Sequence, residues 1–203
     1  DNHRYLECFF GVPMMAAVLH TINVRLSAEQ ILFTINHAED DFILLHADFV
    51  PIIEQIRDRI ETNPQFIFLR DDEHAPQPDF CEFEYEALLQ QADTDYPFRD
   101  FDENTVATTF YTTGTTGDPK AVFYTHRQLV LHTMGLIGSL AATDSSSRIH
   151  RGDVYMPITP MFHVHAWGFP YAATLLGMKQ VYPGRYDPAL LLKLIAMEKV
   201  SFS

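Results

Sequence analysis

Tyr111-Thr112-Thr113-Gly114-Thr115-Thr116-Gly117-Asp118-Pro119-Lys120 is the stretch from which the rest of the chain is best read. Threonine hydroxyls at 112, 113, 115 and 116 alternate with glycines at 114 and 117, and Lys120 closes the run. That composition suits wrapping a polyphosphate: glycines admit close backbone approach, hydroxyls donate to phosphate oxygens, and the ammonium adds charge. The flanks, residues 106–111 and 121–125, are rich in β-branched and aromatic side chains and are expected to be strands. A loop between two strands differs from the glycine-rich phosphate loop that runs from a strand into a helix. The spacing G-x-x-G-x-x-K also fails to align with G-x-x-x-x-G-K-[ST]. Gly/Thr-rich hairpin loops without a ligand exist, so composition alone leaves that reading open.

Composition narrows the function classes. The 203 residues carry 14 Lys+Arg against 27 Asp+Glu, a net charge of −13 that argues against a nucleic-acid partner. A bound triphosphate would have to be held by local dipoles and a few cations against that field, which raises the importance of Lys120. Hydrophobic content of 47% and charged content of 20% are ordinary for a globular enzyme. Cys8 and Cys81 lack C-x-x-C spacing, and reduced thiols in a cytoplasmic protein are expected. No apolar run reaches the roughly 18 residues of a membrane span, so no transmembrane segment is expected. His163-Val164-His165 has no Cys or second His pair to complete a zinc site.

Along the chain, helical and strand-like segments alternate. Residues 4–20 are expected to be helical with a break or kink at Pro13, and 21–24 extended. Ser27 and Gln30 form a capping-box signal for a helix ending near His37. A strand over 41–46, a helix over 51–61 and a strand over 65–69 make a β-α-β unit with parallel pairing. Residues 70–103 are acidic and proline-bearing and are expected to be a surface connection with one short helix over 85–91. Further on, the pattern predicts helices over 126–142, 164–177 and 187–198, and strands over 153–158, 179–182 and from 200.

Met156-Pro157-Ile158-Thr159-Pro160-Met161-Phe162-His163-Val164-His165-Ala166-Trp167-Gly168 is the second informative segment. It reads as a strand ended by prolines, a loop exposing His163, then a helix opened by the only tryptophan of the chain. Ligands of open α/β sheets bind outside strand ends, which suits His163 and Trp167. On residue chemistry alone, Phe162 and Trp167 read first as core.

Both segments resemble motifs of the adenylate-forming (ANL) superfamily, which includes acyl-CoA synthetases, peptide-synthetase adenylation domains and luciferases. Its phosphate-binding motif is approximately Y-T-S-G-T-T-G-x-P-K-G-V; here Thr113 stands for the usual Ser and Ala121 for the usual Gly. Met156–Gly168 is similar to the P-x-F-H segment of acyl-CoA synthetases, and the sequence around 182–188 resembles the medium- and long-chain fatty acyl-CoA synthetase branch. Residues 2–7, 17–23 and 36–40 look like the same branch, and the likeness is weakest over 70–103.

The resemblance implies an α/β fold of layered sheets with covering helices, a partial N-terminal domain of an acyl-CoA synthetase-like protein. On this reading residues 1–203 are an incomplete AMP-binding domain, with a subdomain division at the acidic connection 70–104 and the C-terminal domain outside the chain. It implies a fatty acid–CoA ligase that forms an acyl-adenylate from ATP and then transfers the acyl group to CoA, with Mg²⁺ assisting. Thr112, Thr113, Gly114, Thr115, Thr116, Gly117 and Lys120 would bind the nucleotide phosphates, with Thr112 also a magnesium ligand. His163 would be the catalytic histidine, with Val164 and Trp167 at the nucleotide and acyl gate. The family's adenine-, ribose- and CoA-binding residues fall outside these 203, so the chain alone is expected to be inactive and to expose an apolar edge. A homodimer is compatible with this branch. An adenylating enzyme for another carboxylate, or a non-catalytic nucleotide- or acyl-binding module, are the alternatives that the residues leave open.

Overall fold

The computed structural model describes residues 2–72, 74–112, 117–144 and 148–203. Residues 22–98 and 111–121 form one compact unit, and residues 1–21, 99–110 and 122–203 another.

The unit that begins at Ile22 is built on the predicted β-α-β frame. Helix α1 (His3–Met14) and strand β1 (Leu19–Thr21), which belong to the other unit, precede it in sequence. Helix α2 (Ala28–Ala38) starts at a reciprocal cap: Ser27 Oγ accepts the Gln30 amide at 3.3 Å, and Gln30 Oε1 accepts the Ser27 amide at 3.3 Å. Strand β2 (Phe42–His46) pairs in parallel with β3 (Gln65–Leu69), Ile43 opposite Phe66 and Leu45 opposite Phe68. Between them runs α3 (Val50–Ile56), with Pro51 in its first turn, where a missing N–H costs nothing. The predicted helix over 51–61 ends early. Its tail tightens into a 3₁₀ turn at Arg57–Arg59, closed by the Ile60 amide on the Arg57 carbonyl, and this delivers Ile60 to the core. Ile31, Ile35, Ile43, Leu45, Ile53, Ile56, Phe66 and Phe68 interlock between helices and sheet.

The acidic connection does more than link. Strand β4 (Phe83–Glu84) adds in parallel to β3, α4 (Tyr85–Gln91) follows, and Cys81 is buried in the same core. Charge and proline content hid a core residue and a sheet strand, because both are too short to carry a periodic signal.

In the other unit, α1 (His3–Met14) is capped by Asn2, whose Oδ1 accepts the Tyr5 amide at 3.0 Å. The helix stops well before His20. Pro13 lies in its last turn, Ala16 reverses the chain at φ +63°, and Leu19–Thr21 become strand β1. Strand β5 (Val106–Thr112) is the middle strand of a sheet, with β1 parallel on one side and β6 (Lys120–Thr125) on the other. Helix α5 (His126–Leu140) leaves β6 through a second reciprocal cap between Thr125 and Gln128. The predicted strand over 153–158 shrinks to β7 (Val154–Tyr155), since Pro157 has no amide to continue a ladder. It pairs in parallel with β8 (Lys179–Gln180), and an isolated bridge joins Tyr155 to Phe202. Helices α6 (Phe169–Leu176) and α7 (Pro188–Glu198) cover this small sheet, α7 capped as expected by Asp187 on the Ala189 amide at 2.9 Å. Phe123 on β6 and Val130, Leu131 and Met134 on α5 are exposed apolar side chains.

Two outcomes follow from the interlocked core. Ile35→Ala removes a fully buried side chain and is expected to cost about 3 kcal/mol in denaturant unfolding, whereas Phe42→Ser, on a strand-end residue that is 58% exposed, should cost under about 1 kcal/mol. Burial pushes the Cys81 thiol up to about 11, so a thiol-alkylating reagent at pH 8 should label it only as fast as the unit opens.

Candidate functional site

Strand β5 ends at Thr112 and β6 begins at Lys120, so the threonine-glycine run is a strand–loop–strand, as its flanks predicted. Thr113, Gly114, Thr115 and Thr116 lie outside the described residues. One hydrogen bond ties the base of the run. The Thr112 hydroxyl donates to the Lys120 carbonyl at 3.5 Å, tying the two strand ends together. Gly117 sits at φ +111° with open space around its Cα, so glycine is required there by the backbone conformation and not by crowding. Pro119 is buried, while Asp118 and Lys120 are exposed. Tyr111, which opens the loop, is buried, and its hydroxyl lies 2.8 Å from His37 Nδ1. Burial, reinforced by the Asp40 carboxylate, raises the Tyr111 phenol above its ordinary value. His37, on α2, is a contributor that the sequence pattern did not disclose. Its signal was only its place within the resemblance at residues 36–40.

The second segment departs from the sequence expectation more sharply. No helix begins at Val164. Val164, His165, Ala166 and Trp167 adopt φ values of +48°, +50°, +48° and +57°, and Gly168 follows at +77°. This is one left-handed turn; the right-handed helix starts only at Phe169. Left-handed backbone costs about 1–2 kcal/mol for each non-glycine residue, and a β-branched valine is among the least suited to it. Such a turn persists only where its surroundings over-determine it.

The surroundings do so. Inside, the His165 ring is 2% exposed, and its Nε2 lies 2.8 Å from the Thr108 hydroxyl on β5. Phe9 of α1, Phe110 of β5 and Tyr124 of β6 enclose the ring, the first two edge-on at centroid distances of 5.5 and 5.2 Å. Burial among them lowers the imidazole to about 4, which keeps it neutral near pH 7. Outside, His132 Nε2 of α5 donates to the Trp167 carbonyl at 3.1 Å. Gly168 is required twice over, by its φ and because an added Cβ would come within 2.7 Å of the His132 ring. Just upstream, the buried Thr21 hydroxyl donates to the Phe162 carbonyl at 3.3 Å, and the His163 amide bonds the Pro160 carbonyl at 3.0 Å.

This backbone alternates what it buries and what it shows. His165 and Ala166 point into the unit, His163 is exposed, Val164 is half-buried, and Trp167 is 57% exposed. The tryptophan is therefore no core residue. Of the helix that follows, Pro170, Ala172 and Ala173 are buried, while Leu175 faces outward.

The described residues contain no group of three His, Cys, Asp or Glu able to hold a metal ion. Thr112 offers one neutral oxygen beside the Lys120 carbonyl it already bonds. These residues do not by themselves build a magnesium site. No helix among the described residues is long and apolar enough to cross a membrane.

The chain resembles known ligases along its whole length. It is 46% identical over 204 residues to a long-chain-fatty-acid–CoA ligase of Thermus thermophilus, an alignment covering 100% of this chain and 35% of that protein. It is 42% identical over 207 residues to a medium-chain-fatty-acid–CoA ligase of Ectopseudomonas oleovorans, covering 100% of this chain and 37% of the other. Its fold superimposes on the crystal structure of a long-chain-fatty-acid–CoA ligase from Archaeoglobus fulgidus with a TM-score of 0.80 at 19% identity, covering 100% of this chain and 37% of that one. The chain thus spans about a third of the length of these relatives. The model of the AMP-binding enzyme family matches residues 1–203, and the chain belongs to that family.

Proposed function

We propose that the protein to which these residues belong is an ATP-dependent fatty acid–CoA ligase. The observation that carries this reading is the strand–loop–strand at Thr112–Lys120, with its tied base and glycine-only backbone at Gly117, within a chain matched throughout to fatty-acid–CoA ligases. In the first step a fatty carboxylate oxygen attacks the α-phosphorus of ATP; the bond to the β-phosphate breaks and pyrophosphate leaves. In the second the CoA thiol attacks the acyl carbonyl and AMP departs. Neither step requires covalent attachment to this chain, so its task is positioning and charge stabilisation.

We assign Thr112, Gly117 and Lys120 to the nucleotide phosphates, together with Thr113, Gly114, Thr115 and Thr116. Lys120 is exposed, which suits a phosphate contact. Magnesium would be held chiefly by the phosphates themselves, with Thr112 as one neutral ligand. His163, exposed on a loop fixed by two backbone contacts, is assigned to the carboxylate or the α-phosphate. Trp167, exposed although large and apolar, is assigned with Val164 to the acyl gate; an exposed indole on a clamped turn is suited to meeting an apolar chain. A cytoplasmic setting agrees with Cys8 and Cys81, both buried and neither in a disulfide, and a homodimer rests on the resemblance alone.

Fatty-acid-dependent ATP–pyrophosphate exchange by the full-length protein tests this reading, with exchange expected to peak on medium or long acyl chains. Exchange confined to short or aromatic acids would move the substrate assignment, and silence with every carboxylate would favour a binding module. The isolated 203-residue chain is expected to show none. Lys120→Ala in the full-length protein should lower kcat/KM for ATP by about 100-fold with little change in unfolding midpoint, because the side chain is exposed.

A further inference from the structure

The structure assigns His165 and His132 as positioning residues: together they clamp the left-handed turn Val164–Gly168 and so fix how His163 and Trp167 are presented. The inference rests on the ligase reading for its consequence in catalysis, but the clamp itself stands on geometry alone.

A left-handed turn of Val, His, Ala and Trp has no local reason to form, since each residue prefers the right-handed region. Right-handed backbone is what these residues would adopt unaided. Two anchors oppose that outcome from opposite sides. His165 is drawn inward, where Nε2 meets Thr108 and the ring fills the space bounded by Phe9, Phe110 and Tyr124. In a right-handed helix beginning at Val164, the side chain at 165 would leave in another direction and the Thr108 hydroxyl, on a fully buried residue, would lose this partner. His132 holds the far end by donating to the Trp167 carbonyl, and Gly168 allows the imidazole to lie against the backbone.

The buried Nδ1 of His165 has no hydrogen-bond partner among the described residues. An apolar side chain would fill this cage without that penalty. Retaining an imidazole there makes sense if its other nitrogen is needed, and the Thr108 contact is the need on view. Thr108 also sits on the strand that ends at Thr112, so the residue anchoring the turn and the loop's first hydroxyl belong to one strand.

Five variants of the full-length protein, four single and one double, test the clamp by two independent readouts. Hydrogen exchange of the peptide spanning 163–168 reports the turn whether or not the protein is an active ligase. His165→Phe and Thr108→Val should each speed that exchange about tenfold, Thr108→Ser should match wild type, and His165→Gln should recover most of the loss. The double variant His165→Phe/Thr108→Val should be no worse than either single change, since both remove one contact. In steady-state kinetics His165→Phe and Thr108→Val should raise KM for the fatty acid about tenfold while KM for ATP stays within about twofold, and Thr108→Ser should match wild type. Wild-type exchange in both His165→Phe and Thr108→Val overturns the clamp, as does an equal fall on both substrates accompanied by global destabilisation. If His165→Phe fails to fold, the contrast of Thr108→Val with Thr108→Ser decides. If wild-type protein consumes no ATP with any fatty acid, the ligase reading fails while the exchange experiment still decides the clamp.

Discussion

The hydrogen bond between His165 and Thr108, made inside a cage of aromatic rings, is the contact on which the turn Val164–Gly168 depends. It is a modest interaction by itself, typically worth about 1 kcal/mol net. Its leverage comes from what it opposes. Four consecutive non-glycine residues stand in left-handed backbone, and burial of the ring among Phe9, Phe110 and Tyr124 adds the apolar contribution that makes this arrangement the stable one. The neutral state of the imidazole belongs to the same balance, because a second proton would place an unpartnered cation among apolar rings.

Strand β5 carries both the anchor of His165 and the first hydroxyl of the threonine-glycine run. Ala107, Thr108, Phe110 and Tyr111 are all buried, so the strand is fixed along its length. It pairs with β1, holds β6 through the Thr109 hydroxyl on the Val122 carbonyl, and carries the anchor for His165. At its end the Thr112 hydroxyl ties to Lys120, and Gly117 takes a conformation that other residues reach only under strain.

Much of the frame was legible because it obeys local rules. The capping box at Ser27 and Gln30, the parallel pair β2 and β3, the strands around the threonine-glycine loop and the Asp187 cap all declare themselves in residue type and period. The turn at Val164–Gly168 did not. Its residues are apolar and aromatic, so their period reads as a helix, and the forces that override it come from Thr108 and His132, remote in sequence. His37 was hidden for the same reason, since its meeting with Tyr111 spans 74 positions. Trp167 illustrates the limit of composition: its size predicts burial, and only the left-handed backbone explains why it is exposed instead.

The account turns on a neutral, buried His165, and an imidazole ¹⁵N NMR titration of the histidine-labelled full-length protein tests it most directly, the signal being assigned by its loss in His165→Gln. Burial depresses the folded-state value, so the unfolded chain takes up the proton first, near 6.5, and the fold loses stability as pH falls from there toward about 4. The predicted result is a His165 signal that stays that of a neutral ring down to pH 5 and begins to move only toward about 4. A midpoint near 6.5 would mean a solvated ring, and with it a turn that is not held from inside.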